Sequence, residues 1–265
     1  MLDYLAIGHI AQDLTPSGYR LGGTAAYAAL TAHALGLHTG ILTSVSAEAD
    51  LTDLKALALQ IVPSATSTIF ENIYTPAGRV QKVHAQAQRL TVETVPPSWQ
   101  SSRLVHFGPI INEIDPQLAD HFRDSFIGLT PQGWMRRLDE TGQVYRGEWV
   151  DAERLLRLAS ATVISIEDVA GDWAVVEQWA SFSKVFVVTQ GEQGATVYSR
   201  GERHQVAAPT VPVVDATGAG DIFAAAFFVR LSQSSDPLEA ARFAVAIASD
   251  SVTRVGIAGV PKAVK

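Results

Sequence analysis

The stretch Asp215-Ala216-Thr217-Gly218-Ala219-Gly220-Asp221 runs directly into the apolar segment Ile222-Phe223-Ala224-Ala225-Ala226-Phe227-Phe228. Two glycines let a backbone turn tightly and come close to a ligand. The apolar segment predicts a helix over Ala219–Leu231, whose first amides lack carbonyl partners and whose dipole is positive at that end. Together these make an anion site. Asp221 falls in the first turn and points into it. A carboxylate there repels the anion unless it has a task, such as taking a proton from an attacking hydroxyl. The alternative that spacing leaves open is an ordinary glycine turn, with Asp221 steadying the helix dipole. The helix beyond has no polar face and must be buried, which aims its N-terminus at a pocket.

Strand-like runs alternate with helical patterns along the rest of the chain, the signature of a layered α/β fold. Strands are predicted at Leu2–Gly8, Thr39–Thr43, Leu104–Phe107, Ser125–Leu129, Thr162–Ile166, Lys184–Thr189, Gly194–Tyr198 and His204–Ala208. Helices are predicted at Gly23–Leu35, Glu48–Leu59, Ala152–Leu158, Trp173–Ser181, Ala219–Leu231 and Pro237–Val252. Lys184–Thr189 is almost wholly apolar or β-branched, as a central parallel strand should be. Thr66–Ala87 mixes β-branched and polar residues around Pro76-Ala77-Gly78, which predicts a hairpin with two wet faces. With Gln12–Leu21 it would form a small sheet standing off the main body as a lid. The reading is one domain over 1–265, its lid built from about 11–21 and 64–90.

Composition narrows the function. The 265 residues are 47% hydrophobic and 18% charged, enough for a full core without staples. The absence of cysteine removes disulfides and thiolate chemistry. A net charge of −7 argues against a nucleic-acid surface, and no apolar run reaches the length of a membrane span. The N-terminus has no basic flank and reads as a strand, so a cytoplasmic protein is expected. A dinucleotide-binding G-x-G-x-x-G does not follow the first strand, where Gly8 leads to His9-Ile10-Ala11. A P-loop G-x-x-x-x-G-K-[ST] is absent throughout.

The loop resembles the signature of the PfkB, or ribokinase-type, carbohydrate kinases, D-T-x-G-A-G-D followed by an apolar helix. Asp215, Thr217, Gly218, Ala219, Gly220 and Asp221 match it, and Ala216 departs from its threonine. The resemblance implies a doubly wound, mostly parallel α/β sheet flanked by helices, with a small β lid. It implies ATP and Mg²⁺, Asp221 as the base, and the 218–221 amides as the cradle of the transferred phosphoryl group. Other matches follow in order. Gly22-Gly23 resembles the family's sugar-binding pair, and Asp13 the lid-base aspartate that binds substrate hydroxyls. Thr189-Gln190-Gly191-Glu192-Gln193-Gly194 resembles T-x-G-x-x-G, where nucleotide phosphates lie, so Thr189, Gly191, Gly194, Thr217 and Asp215 are expected on the nucleotide side. Alone, each of these glycines could serve only a turn, and Asp13 could be a solvated loop residue.

Three departures bear on substrate and metal. Ser165-Ile166-Glu167-Asp168 stands where many members carry N-x-x-E, so Asp168 and Glu167 would arrange water around Mg²⁺; the alternative is that they only cap the next helix. Tyr27 replaces the asparagine of ribose-type members in the substrate site. Gln132-Gly133-Trp134-Met135-Arg136 resembles the Q-x-x-x-R of the inositol-kinase branch, with Gln132 on the substrate and Arg136 on the transferred phosphate. The expected function is ATP-dependent phosphorylation of a small sugar or polyol, myo-inositol favoured, by an enzyme that pairs as a homodimer through its lid. A nucleoside kinase of the same fold and a non-catalytic sugar or nucleotide sensor are the alternatives.

Overall fold

The computed structural model describes residues 1–75 and 78–262. In chain order the first half supplies β1 (Tyr4–Ile7), β2 (Ala11–Thr15), β3 (Gly18–Gly22), α1 (Thr24–Ala34), β4 (Thr39–Val45), β5 (Ala58–Pro63), β6 (Thr68–Thr75), β7 (Gly78–Ala85), β8 (Leu104–Phe107) and β9 (Phe126–Leu129). The second half supplies β10 (Arg136–Leu138), β11 (Val144–Arg146), α2 (Ala152–Leu158), β12 (Ala161–Ser165), α3 (Trp173–Phe182), β13 (Val185–Thr189), β14 (Ala195–Ser199), β15 (Glu202–Val206), α4 (Ala219–Ser234) and α5 (Pro237–Ser251).

The main sheet has the order β15-β14-β13-β12-β9-β8-β1-β4-β5. From β5 to β13 every pairing is parallel, and β14 and β15 add an antiparallel edge. Strands covered on both faces carry unbroken apolar runs, and every residue of β1, β4 and β8 is buried. One face packs against α1, α4 and α5 through Ala25, Ala28, Phe223, Phe227, Ala241 and Val245. The other packs against Leu118, Phe122, Trp134, Leu155 and Val176. The chain leaves β1 toward β4 and β5, then returns on the other side at β8. That makes the β1/β8 boundary a switch point, where the loops beyond the strand ends diverge and leave a crevice.

A second sheet, β3-β2-β6-β7, comes from the two segments expected to stand off the body. Its hairpin does not have two wet faces. Phe70 and Val83 are buried with Ala11 against Ile110 and Ile111, because the sheet folds over the loop that follows β8. Pro76 and Ala77 of the expected turn lie outside the described residues.

Glu48–Leu59 is not a helix. It contains a single 3-10 turn at Thr52–Leu54 and then enters β5, which pairs in parallel with β4. The open edge of β4 offers six registered partners, and that pairing overrides the helical preference of the Ala-Leu run. The hairpin β10–β11 is an element the periodicity does not show. Its turn is written in Asp139-Glu140-Thr141-Gly142, where Asp139 accepts from the amides of Thr141 and Gln143.

Candidate active site

Gly218 caps α4 with φ of 77° and offers no side chain to the first turn of the helix. Its left-handed backbone and its contact both demand glycine, since a Cβ would run into the Tyr27 ring. The amide of Ala219 turns back to the Ala216 carbonyl at 3.2 Å, so the N–H groups best placed for an anion are those of Gly220 and Asp221. A side chain at Gly220 would meet nothing within 4 Å, so that face of the loop is open.

Asp221 is half-buried and accepts a hydrogen bond from Thr24 at the start of α1. Burial pushes its carboxyl up to about 6; the Thr24 hydroxyl and Arg136 pull it down, while Asp168 and Asp13 push it further up. Three charged groups and one hydroxyl, from four separate segments, therefore converge on one carboxylate. Beneath them, Tyr4 of β1 bonds His106 Nδ1 at 2.6 Å, and His106 Nε2 bonds Thr130 at 2.9 Å. Burial lowers the His106 imidazole to about 3, so this ring is a neutral strut under Phe228 of α4.

The Gly22-Gly23 pair is explained by close approach. A Cβ on Gly22 would stand 2.6 Å from Asp13 Oδ2, so only glycine lets the carboxylate lie across the neighbouring strand. Gly23 is the N-cap of α1 and delivers Thr24 to Asp221. Tyr27 packs against the loop from within the core. It is 1% exposed, its ring lies under Gly218 and its hydroxyl has no partner among the described residues, so it supports the loop. Burial and the nearby Asp221, Asp13 and Asp215 hold that phenol well above its ordinary range.

Asp215 and Thr217 brace the loop. Asp215 accepts from Thr217 N at 2.9 Å and Gly256 N at 3.0 Å, and Arg20 of β3 lies 3.5 Å away. Burial raises the Asp215 carboxyl, but the bonds from Thr217 and Gly256 and the Arg20 charge outweigh it and hold it below the usual range. Asp215 thus ties the loop to the C-terminal segment and the small sheet, and its oxygens serve the protein itself. Gly191 and Gly194, both at positive φ, carry β13 into β14, and Thr189 bonds the Ile164 carbonyl at 3.3 Å.

On the far side of Asp221, Arg136 donates to the Ile110 carbonyl at 2.8 Å and to Gln81 Oε1 at 2.9 Å. Gln132 donates to Asp168 Oδ1 at 2.6 Å, and the amide of Ser165 donates to Asp168 Oδ2 at 2.8 Å. Asp168 is therefore the acidic half of a capping box, its carboxyl raised by burial and lowered by Ser165, Gln132 and Arg136. Glu167 is exposed. Among the described residues no three acidic or histidine side chains are arranged to grip a metal directly. The segment thus does cap the turn that follows, and each Asp168 oxygen keeps a further lone pair.

Sequence reasoning missed several positioning groups. Glu113, fully buried, accepts from the amides of His9, Ile110 and Ile111 and so joins the loops after β1 and β8. His9 is bonded to Thr68 at 2.7 Å, which anchors the small sheet. Thr24 was visible only as the residue after Gly-Gly. None of the others carries a local signal, because their partners lie far away in the chain.

Comparisons with known proteins support a phosphotransferase with an alcohol group as acceptor, on a doubly wound sheet with a carboxylate at an open helix N-terminus and a small β-sheet above it. Residues 153–263 match the family described as pfkB family carbohydrate kinase. Over 268 aligned residues the chain is 27% identical to a cytidine kinase of Thermococcus kodakarensis, covering 90% of this chain and 91% of that one. A ribokinase of Bacillus subtilis is 42% identical over 87 residues, 32% of this chain and 29% of its own. Among solved structures, a sulfate complex of a pyrophosphate-dependent kinase in the ribokinase family superposes with a TM-score of 0.83 at 20% identity, covering 98% of this chain and all of that one. The ribokinase of Thermotoga maritima superposes with a TM-score of 0.73 at 20% identity, covering 99% and 97%. The C-terminal part of the chain is thus similar to the pfkB family of carbohydrate kinases, and the chain as a whole has the fold of the ribokinase-type structures.

Proposed function

We propose that this kinase transfers the γ-phosphoryl group of ATP to a hydroxyl of a small sugar or polyol, with myo-inositol as the favoured acceptor. The observation that carries the reading is Asp221: a carboxylate poised near 6, beside the open amides of α4, with Arg136 on its flank. The acceptor hydroxyl lies between Asp221 and the terminal phosphate. Asp221 takes its proton as the new O–P bond forms, and the amides of Gly220 and Asp221 with Arg136 stabilise the phosphoryl oxygens. Asp13, held against Gly22, accepts from neighbouring hydroxyls. The polar inner residues Asn72 and Gln81 complete a roof suited to a hydroxyl-rich ring. The small sheet acts as the lid that excludes water from the transfer.

Mg²⁺, when bound, would supply neutralising charge to the phosphates. The donor set here fits an ion held through water, and Asp168 would be the residue that holds it. Glu167, being exposed, is the weaker partner. The outer face of the lid exposes Leu14 (36%), Tyr19 (60%) and Ile73 (39%), which supports pairing of two copies there; sedimentation with Tyr19→Glu against wild type tests it.

A nucleoside acceptor is the second reading, favoured by the likeness to a cytidine kinase along 90% of the chain. One screen decides: cyclitols, sugars and nucleosides as acceptors, each with ATP and with pyrophosphate as donor. Turnover of a cyclitol or sugar with ATP supports the proposal. Turnover confined to nucleosides overturns the acceptor, and turnover confined to pyrophosphate overturns the donor.

A further inference from the structure

We infer that Gln81 is a positioning residue for Arg136, so that the small sheet, and not only the strand that carries it, sets the pose of the guanidinium beside Asp221. The inference rests on the phosphotransfer reading and deepens it. Arg136 stands where the 3-10 turn Pro131–Met135 meets β10. Its Nη1 donates to the Ile110 carbonyl, its Nη2 donates to Gln81 Oε1 on β7, and its charge lies 5.8 Å from the centre of the Phe70 ring on β6.

A guanidinium has donors only, so Gln81 must turn its oxygen toward Arg136. That choice sends Gln81 Nε2 to Asn72, where it donates to Oδ1 at 2.9 Å. Asn72 and Gln81 are direct cross-strand partners, on the same inner face as Phe70 and Val83. A directed chain therefore runs from β6 through β7 to Arg136. Ile110 O and Gln81 Oε1 are both neutral acceptors that orient the guanidinium. Its charge acts on Asp221 and Asp168, both of which it lowers.

A second link moves with the first. The hairpin that begins at Arg136 comes back to the small sheet, where Val83 N donates to the Gly142 carbonyl at 2.8 Å and Lys82 bridges Gln143. Arg136 and the hairpin β6–β7 therefore shift as one unit, and an acceptor that settles the sheet also settles the guanidinium.

The test compares wild type with Gln81→Leu, Gln81→Glu, Arg136→Met and the Gln81→Leu/Arg136→Met double variant. Hydrogen exchange of residues 68–85, without ligand, should rise several-fold in Gln81→Leu and in Arg136→Met, and no further in the double variant. Gln81→Glu keeps an acceptor for Arg136 and should retain protection. In turnover with the acceptor found by the screen, Gln81→Leu should lower kcat by up to about 10²-fold, as misplacing a catalytic group by an ångström does, with a smaller change in acceptor KM. It should add nothing in the Arg136→Met background. Wild-type exchange and kcat in Gln81→Leu overturn the inference, as do losses that multiply in the double variant. If wild type turns over no acceptor, the functional reading fails, and the exchange arm alone decides the tether.

Discussion

Replacing Asp221 with asparagine separates stability from catalysis in opposite directions. The carboxyl sits near 6 in the fold against 3.8 for an ordinary aspartate, chiefly through burial. A raised acid contributes stability that is fully present below about pH 3.8 and is lost as pH rises through about 6. At 1.36 kcal/mol per pH unit, the charged form costs the fold about 3 kcal/mol above pH 6, trimmed to about 2 kcal/mol by the solvent-facing edge of the carboxylate. Asparagine has nearly the same shape, keeps an oxygen for Thr24 and carries no charge. Asp221→Asn should therefore melt roughly 4–8 °C higher than wild type at pH 8, with the difference shrinking toward pH 4. Its turnover should fall by about 10²–10⁴-fold, since an amide takes no proton at neutral pH. Calorimetric melting at pH 4 and pH 8, paired with steady-state turnover, measures both. A variant that melts below wild type at pH 8 refutes the desolvation argument. One that turns over near the wild-type rate refutes Asp221 as the base.

The same carboxyl sets the acid limb of the wild-type profile: kcat/KM should fall tenfold per pH unit below about 6, and a limb below pH 4.5 would contradict the assignment. Gly22→Ala places a methyl 2.6 Å from Asp13 Oδ2, so acceptor KM should rise about 10- to 100-fold, the value of a charged hydrogen bond, while donor KM holds. Tyr27→Phe removes a buried hydroxyl that has no partner among the described residues, so stability measured by urea unfolding should be unchanged or rise by about 1 kcal/mol; a clear loss would mean the hydroxyl is bonded. Asp168→Asn should raise the Mg²⁺ concentration for half-maximal rate about 10- to 100-fold, and an unchanged magnesium titration would leave Asp168 as a cap alone.

What the chain determined locally is the chemistry of its loop and the class of its fold. Asp215 to Asp221 is legible because its requirements are met within a few residues: a left-handed glycine, an unpartnered helix start and a carboxylate in the first turn. The buried strands were legible because both of their faces are covered, which writes an unbroken apolar run into β1, β4 and β8. Distance in the chain marks where legibility stopped. Residues 58–63 became a strand because β4 had an open edge, which no window around Ala58 contains. Tyr27 reads as a substrate contact by position, while Gly218, far along the chain, draws its ring beneath the loop. Asp168 reads as a metal partner by motif, while its bonds to Ser165 and Gln132 appear only in the folded chain. Arg136 is visible as a charge, while its pose depends on Gln81, a residue of the other sheet. Local rules choose elements and reactive groups, since backbone preference and periodicity act over a few residues. Which groups meet, and which are already satisfied when they do, is decided by packing that only the closed tertiary structure brings about.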